Sequence, residues 1–350
     1  MKTYKSIHPS FRLDGHTFPD HIALLDFVRQ AFPEHVDFLM DWFSDKAHIT
    51  LQTSGSTGRP KPIVFRKKQL IISALRSIRF FQIGEGDRIL LNLPSNFVAG
   101  KMMWVRALVG GLHVCVTHPG ASLEAISSVD FGAMVPKQVV REKNNLSKIK
   151  KLLIGGAPVS PSLKTVLQEL PTAVFHTYGM TETLTHVAVM PLSGKAKELF
   201  PYFDKDKYYA LESVFFSTDE SNRLIIEDKL LNIKVKTNDI VDLKDRRSFL
   251  WKGRYDNVIN SGGIKIFPEE VERKLSPYIH RRFIVSSIPD EEWTEKLVLI
   301  LEGAPVDIDE DIFEKAGLRF YEKPKEIFFV ERFPETASGK ILRQKVRELI

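Results

Sequence analysis

Strand-like apolar runs alternate with helical repeats along most of this 350-residue chain, and this alternation limits its possible folds more than any other feature. Residues 67–82 predict an amphipathic helix, because apolar side chains recur there at i, i+3, i+4 and i+7. Residues 87–94, 112–117 and 150–158 predict strands, the last of which enters a glycine turn. Such alternation is typical of an α/β core whose strands pair mostly in parallel.

The pattern continues through the middle of the chain and then changes. Ser160 is suited to cap a helix that has Pro161 at its first position, and apolar residues follow at helical spacing. Residues 172–179 and 186–192 predict two more strands. From about residue 208, short alternating strands surround a polar DESN turn, which predicts an antiparallel subdomain.

A segment rich in glycine and asparagine, GRYDNVINSGG at residues 253–263, marks the predicted domain boundary. A helix opened by Pro268, further strands and a terminal helix follow this segment. Residues 1–255 are therefore predicted to form a large α/β domain that holds the mostly parallel sheet and the antiparallel subdomain. Residues 256–350 are predicted to form a small C-terminal α/β domain.

Composition excludes several classes of protein. The chain is 43% hydrophobic and 27% charged, which is ordinary for a soluble globular protein. Its first residues lack the apolar region of a signal peptide, and Arg106 and His113 interrupt the most apolar later run, so no membrane span is expected. A single cysteine excludes a disulfide framework and fits a reducing cytoplasm. The ten histidines show no spacing typical of a zinc site.

The net charge of +6 favours anionic partners. The basic clusters, however, are scattered along the chain and carry no interleaved aromatic residues. Nucleotides and acidic small molecules therefore fit the charge pattern better than a nucleic acid, which is not an expected partner.

A loop of hydroxyl and glycine residues, TSGSTGRPK at residues 53–61, lies between two predicted strands. Glycines let backbone N–H groups approach phosphate oxygens closely, hydroxyls add donors, and Lys61 supplies a positive charge. The loop is not a Walker-type P-loop, because Pro60 takes the place of its second glycine and Pro62 follows the lysine. On this segment alone, a phosphate-binding loop and a solvated linker are equally good interpretations.

Five further segments occur in an order that, together with this loop, matches a known family. LIGGAP and YGMTET each end a predicted strand, and KTNDIVDL carries an acid after another. GRYDNVINSGGIKIFPEEVE spans the predicted boundary, and PETASGK lies near the C-terminus. Over residues 53–350, these segments resemble the acyl-adenylate-forming (AMP-binding) superfamily, which includes acyl-CoA synthetases, adenylation domains of peptide synthetases and luciferases.

Within that superfamily, the short chain, SGGIKIFPEEVE and LPSNFVAGKMM are most similar to the o-succinylbenzoate-CoA ligases of menaquinone biosynthesis. The resemblance implies a cytoplasmic, AMP-forming ligase that joins a small carboxylic acid to coenzyme A, with ATP as co-substrate and Mg²⁺ as cofactor. The acid would attack the α-phosphate of ATP and release pyrophosphate, and the thiol would then displace AMP.

Several alternatives stay open at this point. The chain could be a ligase or a stand-alone adenylation enzyme for another aryl or acyl acid, in which case a carrier protein could be the acceptor. It could also be a nucleotide-binding module without catalytic activity. The sequence does not indicate the oligomeric state, and a homodimer is one alternative.

The resemblance implies which residues bind the nucleotide. Residues 53–61 would grip the β- and γ-phosphates, Tyr178 would lie against adenine, and small residues after residue 154 would form the opposite wall. Asp239 would accept hydrogen bonds from the ribose hydroxyls, and Arg254 would add a donor nearby. The full expected set is Thr53, Ser54, Gly55, Ser56, Thr57, Gly58, Lys61, Gly155, Gly156, Ala157, Tyr178, Gly179, Asp239 and Arg254.

Three residues are expected to act on the reacting groups. Lys340 would bridge the carboxylate and phosphate oxygens during adenylation, and it is the expected main catalytic residue. Thr181 would contact the α-phosphate. Glu182 would hold Mg²⁺, a hard cation that binds carboxylate and phosphate oxygens.

Family members rotate the small C-terminal domain between the two half-reactions, which implies a mobile domain here with a hinge at Asp256. After the rotation, Ser261, Gly262 and Gly263 would line the path of pantetheine, where glycine permits close approach. Lys265 would contact the phosphates of coenzyme A.

The chain departs from the family pattern in two places. The phosphate loop begins at Thr53, so an N-terminal subdomain is expected to be missing or reduced to residues 1–47, which predict one or two helices. Phe97 stands where related ligases often carry histidine, so the gating of the acyl group cannot be carried over unchanged.

A second carboxylate on the substrate would need a cation, and the candidates for it are Lys101, Arg106 and His186.

Overall fold

The computed structural model describes residues 5–53, 61–204, 206–336 and 340–350. The chain folds into two compact units. The first comprises residues 1–158, 167–215 and 227–235, and the second comprises residues 159–166, 216–226 and 236–350. The domain boundary predicted between residues 255 and 256 stays a prediction.

Strands and helices alternate along the first part of the chain. The strands up to residue 210 are β1 (Arg12–Leu13), β2 (His48–Gln52), β3 (Pro62–Arg66), β4 (Arg88–Leu91), β5 (His113–Val116), β6 (Val129–Met134), β7 (Ile149–Ile154), β8 (Ala173–Gly179), β9 (His186–Pro191) and β10 (Lys207–Ala210). The helices are α1 (His21–Ala31), α2 (Val36–Phe43), α3 (Lys67–Phe80), α4 (Val98–Gly110), α5 (Pro136–Arg141), α6 (Pro161–Gln168) and α7 (Gly194–Leu199).

The main sheet of the first unit has the strand order β1-β5-β4-β6-β7-β8-β9-β10. Strands β1, β5, β4, β6, β7 and β8 pair in parallel, whereas β9 and β10 are each antiparallel to the preceding strand. The central strands are mostly apolar and buried, as expected for parallel strands covered on both faces. The predicted α/β core with a mostly parallel sheet is confirmed.

Local hydrogen bonds explain where the first helices begin. Asp20 Oδ1 accepts hydrogen bonds from the N–H groups of Ile22 and Ala23, each at 2.9 Å, and so caps α1. The Arg66 N–H donates to Gln69 Oε1 at 2.9 Å at the start of α3. The helix predicted over residues 67–82 therefore forms, and it ends at Phe80. The helices predicted before residue 48 form as α1 and α2.

Short antiparallel strands dominate the chain from residue 214. The strands are β11 (Val214–Thr218), β12 (Arg223–Asp228), β13 (Ile233–Asp245), β14 (Ser248–Arg254), β15 (Ile259–Ser261), β16 (Ile264–Ile266), β17 (Phe283–Asp290), β18 (Thr294–Glu302) and β19 (Glu326–Val330). The helices are α8 (Pro268–Leu275), α9 (Asp311–Lys315) and α10 (Arg343–Arg347). None of the helices in the described ranges is long and apolar enough to span a membrane.

The antiparallel subdomain contains β11 to β14, in the order β14-β13-β12-β11. Asp219 Oδ1 closes the DESN turn by accepting hydrogen bonds from the N–H groups of Ser221 and Arg223, each at 2.9 Å. Asn222 has a φ of +57°, a conformation that asparagine tolerates better than most residues. The predicted hairpin is therefore present.

A second, smaller sheet contains the C-terminal strands in the order β16-β15-β18-β17, with β19 parallel to β18. Helix α8 begins at Pro268, as predicted, and its apolar side chains join the core beneath this sheet. The core includes Ile259, Ile266, Val271, Leu275, Leu299 and Phe313. The predicted terminal helix is shorter than its sequence indicates, because it covers only Arg343–Arg347.

Candidate active site

The base of the hydroxyl- and glycine-rich loop is a closed hairpin. Strands β2 and β3 pair in antiparallel fashion up to Gln52 and Pro62. Beyond them, the Thr53 N–H donates to Lys61 O at 3.0 Å, and the Lys61 N–H donates to Thr53 Oγ1 at 2.9 Å. Both ends of the loop are therefore fixed side by side. The expected phosphate-binding residues between them, Ser54, Gly55, Ser56, Thr57 and Gly58, lie outside the described residues.

Gly155, Gly156 and Ala157 directly follow β7, and Tyr178 lies near the end of the neighbouring strand β8. The carboxyl ends of adjacent parallel strands are the usual place for a ligand in an open α/β sheet. Gly156 has a φ of +82°, which other residues rarely adopt. A Cβ on Gly155 would lie 2.5 Å from Thr177 Oγ1, so only glycine fits there without a shift.

A histidine that the sequence did not single out supports this wall. His176 Nε2 lies 3.1 Å from the carbonyl oxygen of Ala157, and His176 Nδ1 lies 2.6 Å from Tyr208 Oη. Because a carbonyl only accepts, Nε2 carries the proton and Nδ1 accepts from the tyrosine hydroxyl. The Tyr208 ring also lies 5.5 Å from the half-buried ring of Tyr178. His176 and Tyr208 thus fix both sides of the expected adenine site.

The turn between β8 and β9 carries Thr181 and Glu182 on a single 3₁₀ turn, Thr181–Thr183. Thr181 Oγ1 lies 3.5 Å from the carbonyl oxygen of Gln52, the residue before the hydroxyl- and glycine-rich loop. The structure therefore brings Thr181 to the base of that loop. Glu182 is exposed beside it. Gly179 is required for the turn, because a Cβ there would lie 2.3 Å from the Thr185 carbonyl oxygen.

The acidic residues suit a magnesium ion that arrives with phosphate ligands. Within residues 5–53, 61–204, 206–336 and 340–350, no group of three His, Cys, Asp or Glu side chains could form a protein cage for a metal. Mg²⁺ is commonly bound through one or two carboxylates together with phosphate oxygens and water. The exposed carboxylate of Glu182 fits that arrangement.

In the second unit, Asp239 and Arg254 face each other on β13 and β14. Asp239 is 6% exposed, and its Oδ1 accepts a hydrogen bond from Trp251 Nε1 at 3.1 Å. Arg254 Nε lies 3.9 Å from the same oxygen. The indole and guanidinium groups compensate the buried carboxylate and fix its orientation. Trp251 is a site residue that the sequence did not reveal. It lies on β14 opposite Val241, which is two residues from Asp239 along β13.

The backbone of Lys340 is held by hydrogen bonds to Thr336. The Thr336 N–H donates to the Lys340 carbonyl at 2.9 Å, and the Lys340 N–H donates to Thr336 Oγ1 at 3.1 Å. Burial lowers the pKa of the Lys340 ammonium, Arg254 lowers it further, and Asp239 opposes both effects. Lys340 therefore lies close enough to Asp239 and Arg254 to respond to their charges. All three predicted residues belong to the second unit.

The expected hinge residue, Asp256, also lies in the second unit. Asp256 accepts hydrogen bonds from Asn238 Nδ2 at 3.1 Å and from Arg254 at 3.3 Å. These hydrogen bonds link Asp256 to β13, the strand of Asp239, and to Arg254. The function of Asp256 as a hinge stays a prediction.

The glycine loop forms a tight turn between β15 and β16. Gly262 and Gly263 have φ values of +58° and +79°, and the Gly262 N–H donates to the Trp293 carbonyl at 2.7 Å. Ser261 is buried before the turn, and Lys265 is exposed after it. The turn geometry explains the two glycines, while the expected contacts with pantetheine and coenzyme A stay predictions.

The chain is similar to known proteins over most of its length. The model of the family described as AMP-binding enzyme matches residues 44–202. The 2-succinylbenzoate–CoA ligase of Listeria monocytogenes is 26% identical over 336 residues, which cover 89% of this chain and 72% of that protein. A feruloyl-CoA synthase from Amycolatopsis is 27% identical, covering 87% of this chain and 70% of that protein.

Solved structures show the same fold. The o-succinylbenzoate coenzyme A synthetase of Bacillus subtilis, solved with ATP and a magnesium ion, has a TM-score of 0.73 at 23% identity, covering 85% of this chain and 69% of that chain. An acyl-CoA synthetase (AMP-forming)/AMP-acid ligase II-like protein from Dyadobacter fermentans is 33% identical, with a TM-score of 0.58. That match covers 91% of this chain and 94% of the Dyadobacter chain. The chain belongs to the AMP-binding enzyme family.

Proposed function

We propose that this protein is an AMP-forming acid–CoA ligase and that its acid is a dicarboxylic aryl acid of the o-succinylbenzoate type. The observation that carries the proposal is the grouping of Lys340 with Asp239 and Arg254 in one unit. An adenylation site needs three groups around AMP: an ammonium, a carboxylate that accepts hydrogen bonds from the ribose hydroxyls, and a guanidinium. The relatives named above, which act on aryl acids and coenzyme A, support the same chemistry.

The proposed reaction has two steps. In the first, a carboxylate oxygen of the acid bonds to the α-phosphorus of ATP, and the bond from that phosphorus to the pyrophosphate oxygen breaks. In the second, the sulfur of coenzyme A bonds to the acyl carbon, the bond from that carbon to the phosphate oxygen of AMP breaks, and the thiol proton is released to solvent. Bound Mg²⁺ would supply charge neutralisation at the phosphates, and Glu182 would be its protein ligand.

Each group of site residues has one task in this proposal. Thr53 and Lys61 fix the ends of the loop that would hold the β- and γ-phosphates. Tyr178 and the glycines after β7 would bind adenine between them, while Asp239 would orient the ribose. Lys340 would hold its proton and place its positive charge beside the carboxylate and the α-phosphate as they react. The proposed hinge at Asp256 would then withdraw Lys340 before the thiol enters.

The choice of a dicarboxylic acid rests on an unusual arginine in the first unit. Arg106 on α4 is only 3% exposed. Its terminal nitrogens lie 3.4 Å from Ser77 Oγ and 3.6 Å from Met103 Sδ, and its Nε has no partner among the described residues. Burial lowers the pKa of Arg106 to about 10, so the guanidinium remains charged at neutral pH. A buried charge without an acid partner costs several kcal/mol, and the free carboxylate of the substrate would compensate it.

The other two candidate cations fit this task less well. Burial, together with the charges of Arg106 and Arg76, lowers the pKa of His186 far below its usual range, so His186 is neutral. Burial also lowers the pKa of Lys101, but Asp41 already opposes that effect. Arg106 is therefore the proposed partner of the second carboxylate.

A panel of acids tests the proposal. The purified protein is incubated with ATP, Mg²⁺ and o-succinylbenzoate, ferulate or benzoate, and AMP release is measured with and without coenzyme A. We expect sustained AMP release only with o-succinylbenzoate and coenzyme A. Preference for ferulate would favour a monocarboxylic aryl acid, in agreement with the feruloyl-CoA synthase relative. ATP binding without AMP release for any acid would indicate a nucleotide-binding module.

Replacing Gly179 with alanine is expected to raise the KM for ATP about tenfold, because overpacking of this kind costs about 1–3 kcal/mol. The new Cβ would lie 2.3 Å from the Thr185 carbonyl oxygen, so the turn that carries Thr181 and Glu182 would have to shift. Gly120→Ala is the matched control, since a Cβ at Gly120 meets nothing within 4 Å. Equal KM values for ATP in the two variants would show that ATP binding does not depend on the position of the turn that carries Thr181 and Glu182.

A further inference from the structure

Arg106 on α4 is held by two contacts that leave its positive charge unpaired. Its Nη2 donates to Ser77 Oγ at 3.4 Å, and its Nη1 donates to Met103 Sδ at 3.6 Å. A hydroxyl and a thioether are neutral acceptors, so neither contact neutralises the guanidinium. The two contacts therefore orient this buried arginine and leave its charge to a ligand.

Three groups contact the hydroxyl of Ser77, which lies on the neighbouring helix α3. The side chain is only 1% exposed, so water does not compete for these contacts. Besides Arg106, the Ser73 carbonyl lies 3.0 Å from Ser77 Oγ, and His186 Nε2 lies 3.3 Å from it. Ser77 thus joins α3, α4 and β9 through a single oxygen atom.

Each hydrogen bond at Ser77 has a defined direction. Its one proton goes to the Ser73 carbonyl, because a carbonyl only accepts. Burial and the charges of Arg106 and Arg76 lower the pKa of His186, so its imidazole is neutral. The two lone pairs of Ser77 then accept from Arg106 Nη2–H and from His186 Nε2–H. Arg106, Ser77 and His186 thus form one hydrogen-bonded group, the Arg106 cluster.

His186 connects the Arg106 cluster with the candidate active site. It is the register partner of Gly179, which follows Tyr178 at the end of β8. A Cβ on Gly179 would lie 2.5 Å from His186 Cα, so the two backbones are in direct contact there. The Arg106 cluster therefore adjoins the strand end at which the acid and ATP are proposed to meet.

Arg106 retains donors for a ligand. Its Nε–H has no partner among the described residues, and each terminal nitrogen keeps one N–H beyond its present contact. A carboxylate accepts two parallel N–H groups from a guanidinium when the two planes match. The orientation of the guanidinium therefore decides how well it binds a carboxylate.

We propose that Ser77 is a positioning residue for Arg106 and thereby determines specificity for acids with a second carboxylate. Its oxygen holds Nη2, so the unused N–H groups keep one orientation and meet the free carboxylate as a pair. Because the hydroxyl is neutral, it orients the guanidinium without competing for its charge. The inference rests on the proposed function, which assigns Arg106 to the second carboxylate.

Ser77→Ala tests the positioning through the choice of acid. We expect the KM for o-succinylbenzoate to rise about 3–10-fold, the effect of losing one hydrogen bond to a charged group, while the KM for a monocarboxylic aryl acid changes little. Ser73→Ala is the matched control. Ser73 is equally buried on the same helix, but its hydroxyl contacts Thr185 at 3.2 Å, and alanine keeps the carbonyl that Ser77 uses. An unchanged KM for o-succinylbenzoate in Ser77→Ala, or an equal rise in Ser73→Ala, overturns the inference.

The Arg106→Met background separates positioning from a general effect on the fold. Ser77 then has no guanidinium to hold, so adding Ser77→Ala should not change the preference between the two kinds of acid. This preference is the ratio of kcat/KM for o-succinylbenzoate to kcat/KM for a monocarboxylic aryl acid. A further fall of the ratio in the double variant overturns the inference, since Ser77 would then act without Arg106.

A measurement without substrates separates this inference from the proposed function. NMR spectra of the deuterated, ¹⁵N-labelled full-length protein report rotation of the Arg106 guanidinium about its Nε–Cζ bond, and Arg106→Met identifies the signal. We expect rotation to become roughly tenfold faster in Ser77→Ala and to stay unchanged in Ser73→Ala, because only the first variant removes the acceptor of Nη2. Equal rotation rates in the wild type and Ser77→Ala overturn the inference. Wild-type protein that forms no adenylate with any acid contradicts the proposed function instead, while the NMR result still decides the task of Ser77.

Discussion

Replacing Lys340 with alanine is expected to lower acid-dependent pyrophosphate exchange on the order of 10²–10³-fold, the usual effect of removing one preorganised charge from a reaction centre. The ammonium would act only while the carboxylate attacks the α-phosphate, so ATP binding should change little. Formation of the thioester from a chemically supplied acyl-adenylate should also stay close to the wild-type rate. The two half-reactions are measured separately, by isotope exchange and by thioester release.

The loss should not reflect unfolding. Burial lowers the pKa of Lys340 below that of an unfolded lysine, so the folded protein binds this proton less tightly than the unfolded chain. The charged ammonium is therefore less favourable in the folded protein than in the unfolded chain, so removing the charge does not lower the free energy of unfolding. Lys345→Ala, an exposed lysine on α10, is the control. Equal loss of both half-reactions, or an equal effect of Lys345→Ala, would contradict the proposed task of Lys340.

Replacing Arg106 with methionine is expected to raise the KM for o-succinylbenzoate on the order of 10²-fold, because truncating one partner of a buried charge pair costs about 2–5 kcal/mol. The free carboxylate of the substrate would then enter a buried site without a cation. Monocarboxylic aryl acids have no charge there, so their KM should be unchanged or lower. The change in acid preference is measured as the ratio of kcat/KM for o-succinylbenzoate to kcat/KM for a monocarboxylic aryl acid.

Arg76 is a second buried arginine and differs from Arg106 in having an acid partner. Arg76 lies 2.6 Å from Asp228, and both side chains are at most 1% exposed. Removing one partner of a buried pair leaves the other uncompensated, so Arg76→Met should lower the free energy of unfolding by about 3–5 kcal/mol. Arg106→Met removes a charge without an acid partner and should not destabilise the fold. Similar destabilisation by both substitutions, with no change in acid preference, would exclude Arg106 as the substrate-binding cation.

The periodic features of the fold were predictable from the sequence. The helical spacing after residue 67 and the cap at Ser160 are local signals, and α3 and α6 form where these signals indicate. The DESN turn is likewise local. By contrast, β6 (Val129–Met134) was not predicted, because its short apolar run gives no distinct period. The terminal helix is shorter than predicted, because tertiary contacts override helix propensity near chain ends.

The candidate site was predictable only as far as its motifs extend. The resemblance identified Asp239, Arg254 and Lys340, and the structure pairs Asp239 with Arg254 across β13 and β14 in the unit that also contains Lys340. Trp251 was not identified, because its hydrogen bond to Asp239 depends on the register of β13 and β14. Such relations join residues distant in sequence, so no local pattern reveals them. The burial of the Arg106 guanidinium without an acid partner among the described residues is likewise a tertiary feature, and the sequence alone does not distinguish this residue from a surface arginine.

In the proposed reaction, the chain converts a carboxylic acid into its mixed anhydride with AMP. A single-turnover reaction of the protein with o-succinylbenzoate, ATP and Mg²⁺, stopped within seconds and analysed by mass spectrometry, detects this anhydride. We expect an enzyme-bound acyl-adenylate that accumulates without coenzyme A and disappears, with formation of the thioester, when coenzyme A is added. ATP bound at stoichiometric amounts, with no adenylate of any acid in the panel, would contradict it.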